Sequence, residues 1–256
     1  MDRNFDQLAQ RFEQRVYGGL KGEIRLAVIW RDLLPIIEQL ESGGGCFEVL
    51  DIGAGLAQLA TRLAKRGHRV QYNDISAIMQ GKAQQRVRDA GVVPQFNWHC
   101  GNYFDLPSPG NYQLLQCHAL LEWLDQPQRA IEFAALQLAP GGYLSLCFYN
   151  PAAKIYRNLI RGNFAWLQQS GSYRSDTGSL TPNHPCELEQ VRSWLQQAGF
   201  AVCSESGIRV FHDYVVEKRG GHNSPEEVLD MELKYSSQEP FKWLGRYLHI
   251  MAKRCG

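Results

Sequence analysis

Phe47-Glu48-Val49-Leu50-Asp51-Ile52-Gly53-Ala54-Gly55 carries an apolar run into an acid, then two glycines one residue apart. A helical pattern follows from Gln58. This order predicts the first strand of a doubly wound sheet turning into its first helix, with a ligand lying over the turn. The glycines let the backbone turn tightly and let a ligand come close. Asp51 narrows the kind of ligand. A phosphate-binding turn offers backbone N–H groups to an anion, and an acid directly before the glycines repels a pyrophosphate. Gln58 stands where the dinucleotide fingerprint has Gly or Ala. The pattern suits a ligand that carries positive charge and no phosphate.

On either side of this stretch, strands and helices alternate. Strand one spans 47–52 and its helix about 58–66. Arg69–Asn73 reads as strand two, with Asp74 at its end, where an acid can accept both ribose hydroxyls of an adenosyl ligand. Ser76 is a candidate N-cap. Val92–Cys100 holds strand three, followed by Gly101-Asn102-Tyr103. Tyr112–His118 is strand four. Leu138–Tyr143 forms a turn into strand five, Leu144–Tyr149. A helix at 187–198, a strand at Phe200–Phe211, a helix at Pro225–Tyr235 and a last, antiparallel strand at Leu244–Ala252 complete the pattern. This is an α/β fold: a doubly wound, mostly parallel, seven-stranded Rossmann-like sheet. Gly53, Asp74, Asn102, His118 and Asn150 all fall at carboxyl ends of strands, where such sheets bind ligands.

We expect one domain over 1–256. Residues 1–45 form a helical cap, with apolar faces at Phe5, Leu8 and Phe12 and at Ile24, Val28 and Ile37. Residues 46–150 form the ligand-binding core. Residues 151–185 are an insertion after strand five, and 186–256 complete the sheet. In the insertion Lys154, Arg157, Arg161 and Arg174 interleave with Tyr156, Phe164, Trp166 and Tyr173, and no acid falls between Pro151 and Ser175. Basic residues fix phosphates and aromatics stack unpaired bases; a solvated helix with buried aromatics is the competing reading. Gly171–Asn183 reads as a mobile loop.

The formal net charge of +1 announces no global nucleic-acid surface, so any such function needs a local patch. Seven scattered cysteines without a C-x-x-C predict reduced, buried thiols and a cytoplasmic protein. No 18-residue apolar run or signal peptide is present. His99-Cys100, Cys117-His118 and His212-Asp213 match no zinc spacing, so no metal is expected.

Asp51-x-Gly53-x-Gly55, Asp74 and Leu138-Ala139-Pro140-Gly141-Gly142 together resemble the class I S-adenosylmethionine-dependent methyltransferases. A narrower resemblance spans nearly the whole chain. Asp2-Arg3-Asn4-Phe5, Tyr17-Gly18, Lys21-Gly22, Trp30-Arg31-Asp32-Leu33, Leu121-Glu122-Trp123, Phe148-Tyr149-Asn150, Gly162-Asn163-Phe164, Arg209-Val210-Phe211-His212-Asp213-Tyr214 and Gly245-Arg246-Tyr247-x-His249 are similar to the bacterial tRNA 5-carboxymethoxyuridine methyltransferase family. The resemblance implies methylation of the carboxylate of 5-carboxymethoxyuridine at the tRNA wobble position. It implies S-adenosylmethionine contacts from Arg25, Gly53, Ala54, Asp74, Asn102 and His118, to which the turn's own chemistry adds Asp51 and Gly55. Arg25, read from its helix alone, is a solvated charge; the resemblance moves it to the cofactor's carboxylate. The glycine turn here has fewer glycines than the family pattern.

A carboxylate acceptor is already anionic near neutral pH, so no general base is needed. It must instead be held while partly desolvated, which suits arginine. Arg209, or an arginine of the 154–174 stretch such as Arg157 or Arg161, is the candidate for the acceptor carboxylate or adjacent phosphates. Tyr149 is placed near the methyl path. A small-molecule carboxyl or hydroxyl methyltransferase, or a non-catalytic adenosyl- and RNA-binding protein, would share much of this pattern.

Overall fold

The computed structural model describes residues 18–107, 110–169, 182 and 184–255. The expected helix around Phe5–Phe12 and the Gly171–Asn183 loop, apart from Pro182, lie outside these residues. Seven strands form one sheet: β1 (Glu48–Ile52), β2 (Arg69–Asp74), β3 (Phe96–Cys100), β4 (Tyr112–His118), β5 (Leu138–Tyr149), β6 (Phe200–Ile208) and β7 (Tyr247–Arg254). Their order is β3-β2-β1-β4-β5-β7-β6. The first five pair in parallel, and β7 runs antiparallel to both β5 and β6. The fold class expected from the sequence is therefore the one observed, including the antiparallel last strand.

The helices are α1 (Gly19–Gly44), α2 (Gln58–Lys65), α3 (Ala77–Asp89), α4 (Gln128–Gln137), α5 (Pro151–Ile160), α6 (Phe164–Gln169), α7 (Leu188–Gln197) and α8 (Pro225–Tyr235). They cover both faces of the sheet. Along β1, Val49 joins a core with residues of α1, α2, α3 and α8, while Leu50 and Ile52 join a second core with α4 and α7. A strand buried on both faces reads as a continuous apolar run, which is why 47–52 shows no alternation. Asp51, two residues after Val49, lies on the α1 side by strand periodicity.

α1 is more than an appendage over the ligand. Ile24, Val28, Leu33 and Ile37 are fully buried in the first core, so this helix is a layer of the fold. Ser76 caps α3 as expected, its Oγ accepting from Met79 N at 3.1 Å. The cysteines depart from expectation. Cys117, Cys147 and Cys186 are buried, but Cys46, Cys100, Cys203 and Cys255 are exposed. Cys100 and Cys203 sit on β3 and β6, the two edge strands, where one flank of each strand meets solvent.

The strand expected over Phe200–Phe211 ends at Ile208. Arg209 has φ +60°, a left-handed conformation that a bulky side chain adopts at a cost, and it turns the chain out of the sheet. Glu232 of α8 holds this turn. Its carboxylate is fully buried and accepts backbone N–H groups from Val210 at 2.8 Å, Phe211 at 3.2 Å and His212 at 2.8 Å. Truncating Glu232 leaves these donors without an acceptor. Glu232→Ala is therefore expected to lower stability by about 2–4 kcal/mol, read as a shifted urea midpoint at unchanged slope. A midpoint like that of the natural protein would show that the turn does not depend on Glu232.

Candidate active site

Strand order reverses between β1 and β4, the switch point at which open α/β sheets form a crevice. The glycine turn after β1 lies there. Gly53 has φ +62° and Gly55 φ +53°. A Cβ on Gly53 would stand 3.1 Å from Leu120 Cδ1. Asp74, at the end of β2, ties the turn together: Gly55 N donates to its Oδ2 at 2.8 Å and Ser76 N to its Oδ1 at 2.9 Å. Ala54 is engaged through its backbone, donating to Asn73 O at 3.0 Å and accepting from Ala57 N at 2.9 Å.

A cavity opens over this turn, lined by Arg25, Ile29, Asp51, Gly53, Gln58 and His118 among others. Asp51 is only 5% exposed, and no hydrogen bond or ion pair from a described residue reaches its carboxylate. Burial, and then the nearby charge of Asp74, push its pKa well above the ordinary carboxylate value. An acid in this state lowers its energy by meeting a cationic ligand. Arg25 is 3% exposed, not solvated, so the helix-face reading of it fails. The interior covers it because α1 lies flat on the sheet. Its Nη2 is 3.7 Å from Cys147 Sγ and its guanidinium lies 4.2 Å from the centre of the Tyr247 ring. His118 is held neutral, its pKa pushed well down, chiefly by burial. Asn102 stands apart from this group: its side chain is exposed and its Oδ1 accepts from Phe104 N at 3.1 Å, capping the short turn that follows.

Beyond the cavity an aromatic pair gathers arginines. Tyr149 and Tyr247, paired across β5 and β7, have ring centres 5.7 Å apart. Arg25 and Arg209 lie over Tyr247, the latter at 5.5 Å, and Arg246 lies over Tyr149 at 4.9 Å. Arg209 is 8% exposed and pairs with Asp213 at 3.5 Å. Arg157 joins from α5. Burial lowers its pKa, and the charges of Arg161 and Arg246 add to that effect. Arg161 itself is exposed at the end of α5. The structure thus brings Tyr149, Arg157 and Arg209 together and leaves Arg161 at the rim. Glu122 is fully buried, and burial raises its pKa to about 7.

The family model described as "Methyltransferase domain" matches residues 49–142, the span from β1 into β5. A tRNA 5-carboxymethoxyuridine methyltransferase of Escherichia coli (strain K12) is 36% identical over 259 residues, covering 99% of this chain and 97% of that protein.

This chain belongs to the tRNA 5-carboxymethoxyuridine methyltransferase family.

It is an S-adenosylmethionine-dependent methyltransferase, and S-adenosylmethionine is its cofactor. The crystal structure of magnesium protoporphyrin IX methyltransferase from Synechocystis PCC 6803 with bound SAH superposes with a TM-score of 0.63 at 18% identity, covering 98% of this chain and 96% of that one. A SAM dependent methyltransferase from Archaeoglobus fulgidus gives 0.60 at 17% identity, covering 96% and 100%. At these identities the likeness is one of fold. The residues at the cavity fit the cofactor: a buried acid with no partner among the described residues, an acid at the end of β2, and a glycine whose added Cβ would crowd Leu120.

Sequence reading missed Arg246, Tyr247, Glu232 and Glu122. Arg246, Tyr247 and Glu122 fell inside segments that carried the family resemblance, yet no periodicity or spacing distinguishes them. Arg246 and Tyr247 reach the site because β7 inserts between β5 and β6, and Glu122 reaches it from the turn that follows β4.

Proposed function

We propose that this protein transfers a methyl group to the carboxylate of 5-carboxymethoxyuridine at the tRNA wobble position, giving the methyl ester 5-methoxycarbonylmethoxyuridine and S-adenosylhomocysteine. The observation that carries the reading is the set of arginines over Tyr149 and Tyr247, next to the cofactor cavity. When bound, the cofactor supplies an electrophilic methyl group on a sulfonium. Asp51 faces the cationic end of that ligand, Asp74 accepts its ribose hydroxyls, and Arg25 serves its carboxylate. Ala54 and the two glycines bring main chain against it.

The acceptor needs no base, only a grip. Arg209, with Arg246 and Arg157 close by, offers forked donors that hold a carboxylate while water is excluded. Tyr149 borders the path of the methyl group. Holding two reactants in line supplies a large part of the rate enhancement. The assay is methylation of tRNA bearing free 5-carboxymethoxyuridine against the same tRNA with plain uridine. Methylation of only the first supports the reading; turnover of small carboxylic acids without RNA speaks for the small-molecule alternative.

The insertion supports an RNA substrate. Tyr156, Phe164 and Trp166 are 40%, 58% and 37% exposed, so the aromatics are not the buried side of a solvated helix. Lys154 Nζ lies 4.7 Å from the centre of the Trp166 ring. Exposed rings between basic residues form a platform for unpaired bases and their phosphates. Replacing Lys154, Arg157 and Arg161 together with glutamine is expected to weaken tRNA binding and flatten its salt dependence. The slope of log K against log salt falls by about 0.7 for each single-strand phosphate that the protein no longer neutralises. An unchanged slope in filter binding across 50–300 mM salt (roughly the range where counterion release is read) would remove this surface from the account. A tRNA substrate puts the reaction in the cytoplasm.

A further inference from the structure

Beneath the cavity a line of hydrogen bonds crosses three adjacent strands to α1. His118 Nε2 is 2.8 Å from Ser145 Oγ, which is 2.8 Å from His249 Nε2. His249 Nδ1 is 2.8 Å from Asp32 Oδ2. Arg31 closes the line, its Nε and Nη2 donating to Asp32 Oδ1 at 2.9 and 2.6 Å. Ser145 is fully buried, His249 is 1% exposed, and the Asp32 side chain is 7% exposed. Buried polar groups are joined so completely only when each donor meets an acceptor.

The proton positions follow from one end. Asp32, paired with the Arg31 guanidinium through two short hydrogen bonds, is ionised and can only accept, so His249 Nδ1 carries a proton. Arg31 already balances the Asp32 charge, and a second proton on His249 would bury an unbalanced cation in a region that also holds Arg25. His249 Nε2 is then a bare lone pair and receives the Ser145 O–H. The Ser145 oxygen in turn accepts from His118 Nε2–H. His118 is left with a bare Nδ1 on a ring that lines the cavity.

We propose that Asp32, His249 and Ser145 are positioning residues that hold His118 in its Nε2–H tautomer, making Nδ1 the acceptor for the protonated α-amine of S-adenosylmethionine. The proposal rests on the placement of the cofactor in the cavity given above. An imidazolium or an Nδ1–H there would meet that ammonium with a donor and repel it. The bond also belongs to both ground and transition states, so it governs cofactor affinity more than turnover.

The test begins with the ligand-free protein labelled with 15N-histidine, the His118 signals being assigned with a His118→Gln variant. Long-range 1H–15N spectra are expected to show Nε2 protonated and Nδ1 bare. An Nδ1–H tautomer or an imidazolium would overturn the relay. Ser145→Ala cuts the line. It is expected to let both tautomers of His118 appear and to weaken S-adenosylhomocysteine about 3- to 10-fold, the effect of one hydrogen bond. The KM for S-adenosylmethionine should rise more than kcat falls. Asp32→Asn, whose amide can donate as well as accept, lets the line reverse and is expected to give the same mixture. A folded Ser145→Ala protein with a single tautomer and unchanged affinity would overturn the proposal. The spectra need no ligand and judge the relay; the titration of the natural protein judges the cavity as the cofactor's seat.

Discussion

Arg209→Ala is expected to lower kcat/KM on tRNA bearing 5-carboxymethoxyuridine by about 10- to 150-fold. That range corresponds to the roughly 1.5–3 kcal/mol of a hydrogen bond to a charged group. S-adenosylhomocysteine affinity should change little by comparison, because Arg209 does not line the cavity; it shares the Tyr247 ring with Arg25, which does. Arg209→Lys should restore little, since an ammonium cannot reproduce a forked, planar contact. The backbone supplies a separate control. At φ +60° a side chain is strained and glycine is not, so Arg209→Gly should lose as much activity as the alanine variant while being the more stable of the two by about 1 kcal/mol. The strain is retained where the guanidinium is needed. Single-turnover methylation together with thermal unfolding reads both effects. Normal turnover by the glycine variant would exclude Arg209 from the acceptor site.

Asp51→Asn should separate stability from binding. The carboxylate is buried, faces Asp74 and has no partner among the described residues, which raises its pKa well above the ordinary value of 3.8. The sign follows from proton uptake. An acid with a raised pKa in the folded state binds more protons folded than unfolded, so stability falls as pH rises from the unfolded pKa through the folded one. At neutral pH Asp51 therefore destabilises the ligand-free protein. Asparagine removes that effect and is expected to stabilise it by about 0.5–2 kcal/mol, a typical gain for relieving a functional strain. The advantage should vanish below pH ~4, where the natural side chain is neutral in both states. The same change removes the charge opposite the cationic ligand, and S-adenosylmethionine affinity should drop about tenfold or more, as for the removal of a charge-assisted hydrogen bond. Calorimetric titration and melting curves across pH check both halves. A variant that is less stable at neutral pH, or that binds the cofactor as tightly, would contradict this account of Asp51.

Much of this molecule was legible in the chain. The apolar run into Asp51, the glycines and Asp74 depend on local geometry, and local geometry leaves local patterns. The antiparallel β7 was also readable, because the strand pattern outlasted the βα alternation. The acceptor side was harder to read. Arg246 and Tyr247 act through a strand inserted between β5 and β6, a long-range pairing with no short-range signal. Glu232 stands in a helix with no local pattern to mark it, yet it organises three backbone donors 20 or more residues earlier in the chain. Strand six ran too far in the sequence reading because Val210 and Phe211 have strand propensity; tertiary contacts to Glu232 override it. Arg25 showed the reverse difficulty. A single charge on an amphipathic helix gives no hint that the sheet will bury it; the reading of Arg25 as a cofactor contact came from the family resemblance, not from its spacing, and the residue lines the cavity.

The identity of the acceptor is reported directly by the wobble nucleosides. Total tRNA from cells lacking this protein would be digested and analysed by mass spectrometry beside tRNA from the parent strain. Loss of 5-methoxycarbonylmethoxyuridine with accumulation of free 5-carboxymethoxyuridine, reversed by the natural protein and not by Arg209→Ala, is the predicted result. An unchanged nucleoside profile would contradict it.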